Sequence, residues 1–251
     1  MRILLVSDLH YSLKQLDWLL SVAADFDALA VAGDHLDVAG ATDGDAQVVV
    51  LLKYLERLNA RTRVLVASGN HDLTRVDASG EKVARWLAKA RALGIATDGD
   101  ILEIGDTRFT ICPYWDGPVG RVRVAELLRG SAPHPRRRWV WVYHVPPQGS
   151  RTSWMGRAFA GDEALSDWIA EHRPDIVLAG HIHQSPFRKG GSWVDKLGDT
   201  WVFNAGRQLG EVPAHVIVDV AAMTAAWSSS AGEQQVGLHE EVAAPRPELF
   251  L

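Results

Sequence analysis

Short apolar runs that end in clusters of polar, donor-rich residues constrain this chain more than any other feature. Runs rich in β-branched and aromatic residues at 3–7, 28–32, 64–68, 108–112, 139–143, 176–179, 201–203 and 215–220 have the length and composition of buried strands. Between them, 13–23, 46–58 and 81–93 space apolar residues three and four apart, and 162–171 does so more weakly, as crossover helices do. Each helix covers a sheet face and returns the chain to begin the next strand, so the alternation predicts an α/β protein of layered αββα type. The runs 101–104 and 108–112 flank Gly105-Asp106, a hairpin signal, and the sheets are therefore expected to be mixed.

Five of the strand-like runs lead directly into polar clusters: Asp8-Leu9-His10, Gly33-Asp34, Gly69-Asn70-His71-Asp72, His144 and Gly180-His181-Ile182-His183. In layered α/β folds the strand C-termini gather along one edge, and ligand sites form in the crevice outside it. The five clusters are expected to meet there. Asp, His and Asn offer oxygen and imidazole nitrogen without thiolate, which suits catalytic Mn, Fe, Zn, Ni or Co better than a structural zinc. In extended backbone, residues two apart face the same side, so Asp8 with His10, and His181 with His183, aim paired donors at one cavity with room for two ions. A lone histidine after a strand is usually just hydrogen-bonded, and a lone Asp or Asn there usually caps a turn. Five coincident placements are what argue for a metal site.

In order, these blocks read D-x-H, G-D, G-N-H-D, H and G-H-x-H from Asp8 to His183, and they resemble those of the calcineurin-like metallophosphoesterases. The resemblance implies a four-layer sandwich of two mixed β-sheets flanked by helices, with a binuclear centre of two divalent metal ions at the strand C-terminal edge. Carried across block by block, it implies that Asp8, His10, Asp34 and His183 hold one ion, that Asp34, Asn70, His144 and His181 hold the other, and that Asp34 bridges them. It implies hydrolysis of phosphoric esters by a hydroxide poised between the ions, with His71 giving a proton to the leaving-group oxygen and Asp72 orienting His71. A proton donor favours poor leaving groups, which makes diesters the expected substrates. A phosphomonoesterase, a protein phosphatase or a DNA-repair-type nuclease would use the same ligands, whereas a non-catalytic scaffold would be expected to have lost some. Tyr143 departs from the pattern, since members often have Gly before this histidine.

Outside the blocks, Trp115 and Trp154 lie in loops beside Gly and Pro, where an aromatic ring can stack on a base or an apolar leaving group. Arg151, in the long stretch 145–160, could meet a phosphate oxygen. His35 and Asp37, beside Asp34, read as supporting residues. The net charge of -5 argues against stable nucleic-acid binding and against an anionic membrane surface, leaving a small-molecule or nucleotide ester as the favoured partner. The single Cys112 excludes an intrachain disulfide, no apolar run approaches the roughly 20 residues of a membrane span, and residues 3–6 are too short for a signal-peptide core. The expected location is cytoplasmic. A metallophosphoesterase domain is expected over 1–227, followed at 228–251 by a C-terminal tail or surface-docked extension in which Ser, Gly and Pro replace periodicity. No exposed apolar stripe is legible that would specify an oligomeric state.

Overall fold

A computed structural model describes residues 1–133 and 137–239. The first half of the chain runs β1 (Arg2–Val6), α1 (Leu13–Val22), β2 (Ala28–Ala32), α2 (Gly44–Asn59), β3 (Arg63–Ala67), β4 (Arg75–Val76), β5 (Lys82–Val83), α3 (Leu87–Ala92), β6 (Ala96–Thr97), β7 (Ile101–Ile104) and β8 (Thr107–Ile111). The second half continues with α4 (Pro118–Ser131), β9 (Arg138–Val142), α5 (Glu163–His172), β10 (Ile176–Ala179), β11 (Val194–Leu197), β12 (Thr200–Asn204), β13 (His215–Asp219), β14 (Thr224–Ser229) and β15 (Gly232–Gly237). One sheet has the order β15-β14-β13-β1-β2-β3-β6 and the other β11-β12-β10-β9-β8-β7. Both are mixed: β1, β2 and β3 run parallel, as do β8, β9, β10 and β12, while β13 joins β1 and β7 joins β8 antiparallel.

The period-two alternation of each strand divides its side chains between two cores. Ile3 and Leu5 of β1, with Ala28, Ala30 and Ala32 of β2, share the inter-sheet core with Phe109, Val140, Leu178 and Phe203 of the opposite sheet. Their neighbours Leu4, Val6, Leu29 and Val31 point the other way, onto Leu16 and Leu19 of α1 and Leu51 and Leu55 of α2. Behind the second sheet, Trp139, Trp141 and Val177 pack with Val124 and Leu128 of α4 and Leu165 and Trp168 of α5. The result is the four-layer αββα arrangement.

Two expectations change, and one helix is added. The helix expected over 81–93 is confined to α3, because Lys82 and Val83 pair antiparallel with Arg75 and Val76 across a turn in which Asp77 accepts from the Ser79 N–H (2.8 Å). Residues 118–131, with no clear apolar stripe, form α4; its first turn is closed by Glu81, whose carboxylate accepts from Val119 N (2.7 Å) and Gly120 N (2.7 Å). The boundary expected after residue 227 falls inside β14, since β14 and β15 extend the first sheet with Ala225 and Trp227 turned into the inter-sheet core. Trp227 donates from Nε1 to the Ala205 carbonyl (2.9 Å), so this hairpin belongs to the body of the fold. The rest of the expected extension, 240–251, lies outside the described residues. No helix among the described residues is long and apolar enough to cross a membrane.

Candidate metal centre

The five clusters follow β1, β2, β3, β9 and β10, and the C-termini of these strands bring them to one edge between the sheets. The backbone turns hard there. Asp8, His10, Asp34 and His181 all adopt left-handed φ values (55°, 40°, 56° and 64°), a conformation that costs a non-glycine residue about 1–2 kcal/mol. Cross-loop hydrogen bonds hold it: Asp8 N–H donates to Gly33 O (3.0 Å), His10 N–H to Asp34 O (3.0 Å), and Gly180 N–H to His144 O (2.8 Å). His181 N–H donates to Asp8 Oδ2 (2.9 Å). Strain concentrated on the donor residues of one crevice marks a functional site rather than a packing accident. Gly69 is required by close approach, since a Cβ there would lie 2.5 Å from the Asp34 backbone nitrogen and collide with the Asp34 carboxylate.

Two groups of donors result, and they share Asp34. Asp8, His10, Asp34 and His183 each offer an atom within 4.8 Å of the others, and so do Asp34, His144 and His181. Asn70 joins the second group, with Oδ1 3.2 Å from His144 Nε2. His144 is oriented from behind: Nδ1–H donates to the Ala32 carbonyl (2.7 Å), which aims Nε2 at Asp34 Oδ1 (3.4 Å) and the centre. His183 Nε2 lies 3.1 Å from Asp8 Oδ1 and 3.3 Å from His10 Nε2.

Charges are correspondingly coupled. Burial pushes the Asp34 carboxyl up, but the charge and hydrogen bond of His144 outweigh it and hold Asp34 well below the usual carboxylate range. Asp8 is likewise lowered, burial being overcome by the His183 hydrogen bond and the charges of His144 and His183. Burial alone would lower His144, yet Asp34 raises it to about 9; His181, buried and only 3.2 Å from His144, is driven down to about 4. Carboxylates, an amide oxygen and outward-facing imidazole nitrogens, preorganised around a shared carboxylate, fit divalent cations of the Mn, Fe, Zn, Ni or Co type.

His71 stands at the mouth. Its side chain is 28% exposed, Nε2 lies 3.8 Å from Asp34 Oδ2, and its ring packs edge-on against His10 at 4.7 Å. Its backbone N–H donates to Asp34 Oδ1 (2.9 Å), which ties His71 to the shared carboxylate. Asp72 does not orient His71. The Asp72 carboxylate, 0% exposed, turns the opposite way and accepts from the backbone N–H groups of Asp34 (2.9 Å), His35 (3.0 Å), Leu36 (3.2 Å) and Gly69 (2.8 Å) and from His35 Nδ1 (2.9 Å). Asp72 therefore fastens the β2 loop to the β3 loop, and the partner expected to be His71 is His35.

The loop residues separate. Trp115 lines a cavity of about 490 Å³ that reaches His181. Trp154 donates from Nε1 to the Lys189 carbonyl (3.0 Å) and packs on Phe159 at 4.8 Å, stapling its loop to residues 189–190. Arg151 holds its turn through the backbone, N–H to Asp195 Oδ2 (2.8 Å), and its Nη1 is buried with no hydrogen-bond partner among the described residues. Two residues join the site without having been singled out from sequence. Tyr114, after β8, sits with its ring 6.0 Å from that of His144, its phenol pushed up by burial and by Asp34, so that it remains a donor. Arg207, after β12, donates its N–H to His183 O (3.0 Å) and places positive charge near His10. Both follow strand C-termini, so the rule that locates the five clusters also reaches them.

Fold and donors together define the class: a four-layer α/β protein with an Asp/His/Asn centre of metal-ligand type at its strand C-termini. The sequence pattern of the calcineurin-like phosphoesterases matches residues 1–185, and the chain belongs to that family. Membership and donor set together give metal-dependent phosphoester hydrolysis as its general chemistry. No curated protein matches the chain in sequence. Among solved structures, TT1561 of Thermus thermophilus is similar, with 15% identity, a TM-score of 0.57, and coverage of 94% of this chain and 98% of that one. The purple acid phosphatase PPD1 from yellow lupin seeds is also similar, with 13% identity, a TM-score of 0.59, and coverage of 96% of this chain and 52% of that one. YfcE, a phosphoesterase from E. coli, shares 15% identity at a TM-score of 0.46, covering 95% of this chain and 100% of its own. At these identities the first two likenesses establish the fold alone.

Proposed function

We propose that the chain is a phosphodiesterase, with Asp8, His10, Asp34 and His183 holding one divalent cation, Asp34, Asn70, His144 and His181 a second, and His71 serving as general acid. Such cations supply Lewis acidity that activates water and neutralises phosphate charge. The protein's own groups do the rest. Asp72 fixes the backbone of Asp34, the Ala32 carbonyl orients His144, and His71 presents Nε2 at the open side of the crevice, where a leaving oxygen needs a proton. The observation that carries the reading is the sharing of Asp34 by two donor groups with His71 Nε2 beside it. Small-molecule or nucleotide esters are the substrates the acidic chain favours, and the buried, unpaired Cys112 is consistent with a reducing, cytoplasmic setting. Single-turnover hydrolysis of bis-p-nitrophenyl phosphate and p-nitrophenyl phosphate tests the proposal. We expect the diester to be favoured, and His71→Ala to lose about 10²–10⁴-fold on a diester with a poor alkoxide leaving group, the usual contribution of a positioned acid. Clear monoester preference, or an unchanged His71→Ala rate, would overturn the diester claim or the acid role respectively.

A further inference from the structure

The cavity that reaches His181 has a wall built by the one residue that departs from the family's blocks. Tyr143, at the end of β9 and one residue before His144, is buried, and its hydroxyl donates to Asp162 Oδ2 (2.5 Å). The indole Nε1–H of Trp115 donates to the same carboxylate oxygen (3.1 Å). Asp162 Oδ1 caps α5, accepting from Ala164 N (2.8 Å) and Leu165 N (3.3 Å), which leaves the carboxylate little freedom. The base of Trp115 is also fixed: Tyr114 N–H donates to Ser68 Oγ (3.0 Å), and Gly120, whose added Cβ would sit 3.0 Å from Trp115 Cβ, lets α4 press against it. Trp115 is thus held by its polar edge while its ring lines a cavity that reaches His181, and charge at the rim is uneven: Asp116, Glu163 and Asp167 face a single cation, Arg121.

We infer that this cavity receives the organic group of the ester and that Trp115, held by Tyr143 and Asp162, selects planar groups carrying no further negative charge. The inference rests on the reading of the neighbouring centre as the ester-binding site. An aromatic wall whose N–H is already satisfied offers stacking and excluded water, and alanine substitution of such a ring typically costs about tenfold or more in affinity for a planar group. The rim carboxylates add a penalty for a second anionic group. Asp162, and Tyr143 through it, are positioning residues: they act on the cavity by holding the ring of Trp115.

Calorimetric titration of the full chain with Mn²⁺ and non-hydrolysable phosphonates tests this without turnover. Phenylphosphonate should bind about tenfold tighter than methylphosphonate, a preference of the size stacking gives, and 4-carboxyphenylphosphonate should lose most of that advantage. Trp115→Ala should abolish the preference by lowering phenylphosphonate affinity to that of methylphosphonate, Trp115→Phe should restore most of it, and Tyr143→Phe should reduce it while the protein remains folded. Equal binding of phenyl- and methylphosphonate by the wild type, or a preference that survives in Trp115→Ala, overturns the pocket assignment and leaves the metal centre standing. Failure of every phosphonate to bind overturns the reading of the neighbouring centre as the ester-binding site, and the pocket assignment with it.

Discussion

Asp72→Asn tests how the crevice is braced. In the wild type Asp72 Oδ2 accepts from Asp34 N, Gly69 N and His35 Nδ1, and Oδ1 from His35 N and Leu36 N, all without solvent. Asparagine keeps one acceptor oxygen, which can still serve His35 N and Leu36 N. Its NH2 group then confronts three donors. The His35 ring can exchange tautomers and accept, but Asp34 N and Gly69 N are left stranded. An unmade hydrogen bond at a buried donor costs about 1–3 kcal/mol, so two amount to about 2–6 kcal/mol. At roughly 2–4 °C per kcal/mol for a chain of this size, the melting temperature should fall by about 10 °C. Turnover should fall with it, because Asp34 loses its backbone restraint. Differential scanning calorimetry beside an ester assay separates this from the alternative role. If Asp72 acted on His71, the substitution would slow turnover and leave the melting temperature in place, as His71→Ala is expected to do. A shift below about 2 °C, equivalent to about 1 kcal/mol or less, would refute the bracing argument.

Other consequences are equally direct. Asp98 accepts from Ser68 N (2.8 Å), and its carboxyl is pushed up by burial to about 6, so the folded state holds the proton more tightly than the unfolded chain, where the value is about 4. Its contribution is therefore full below pH 4 and is lost as pH rises through 6; Asp98→Asn should gain on the wild type by about 2 kcal/mol between pH 4 and 7 in urea unfolding, and parallel curves would refute this. Ending the chain after Trp227 removes β15, the Trp193 Nε1 to Gln234 Oε1 bond (2.7 Å) and buried Leu238, and exposes the edge of β14. That truncation should aggregate or melt at least about 10 °C lower, and an unchanged melting curve would show that the hairpin is dispensable.

Most of the site was legible because its logic is local. A buried parallel strand reads as an apolar run, and the donor that follows it must lie at the sheet edge, so Asp8, Asp34, Asn70, His144 and His181 could be placed together from spacing alone. What could not be read depends on distant partners. His71 and Asp72 are adjacent, which suggests contact, yet the short helical turn at Asn70–Asp72 sends one side chain to the mouth and the other into the body. The start of α4 looks broken by Gly117, Pro118 and Gly120, and it is Glu81, from the β4–β5 hairpin, that closes it. The polar faces of β14 and β15 resemble loop because only one side is buried; the alternation of Ala225 and Trp227 carries the strand signal in just two residues. Trp115 and Trp154 are alike in sequence context, and only the Asp162 clamp in one case and the Lys189 carbonyl in the other tells the cavity wall from the staple.

The central claim, a centre of two divalent cations sharing Asp34, is tested most directly by elemental analysis of the purified chain paired with hydrolysis after chelation and readdition of Mn²⁺, Fe²⁺, Zn²⁺, Ni²⁺ or Co²⁺. The account predicts close to two metal ions per chain, loss of ester hydrolysis on chelation, and recovery with at least one of these ions. No bound metal and no hydrolysis under any of them would contradict it.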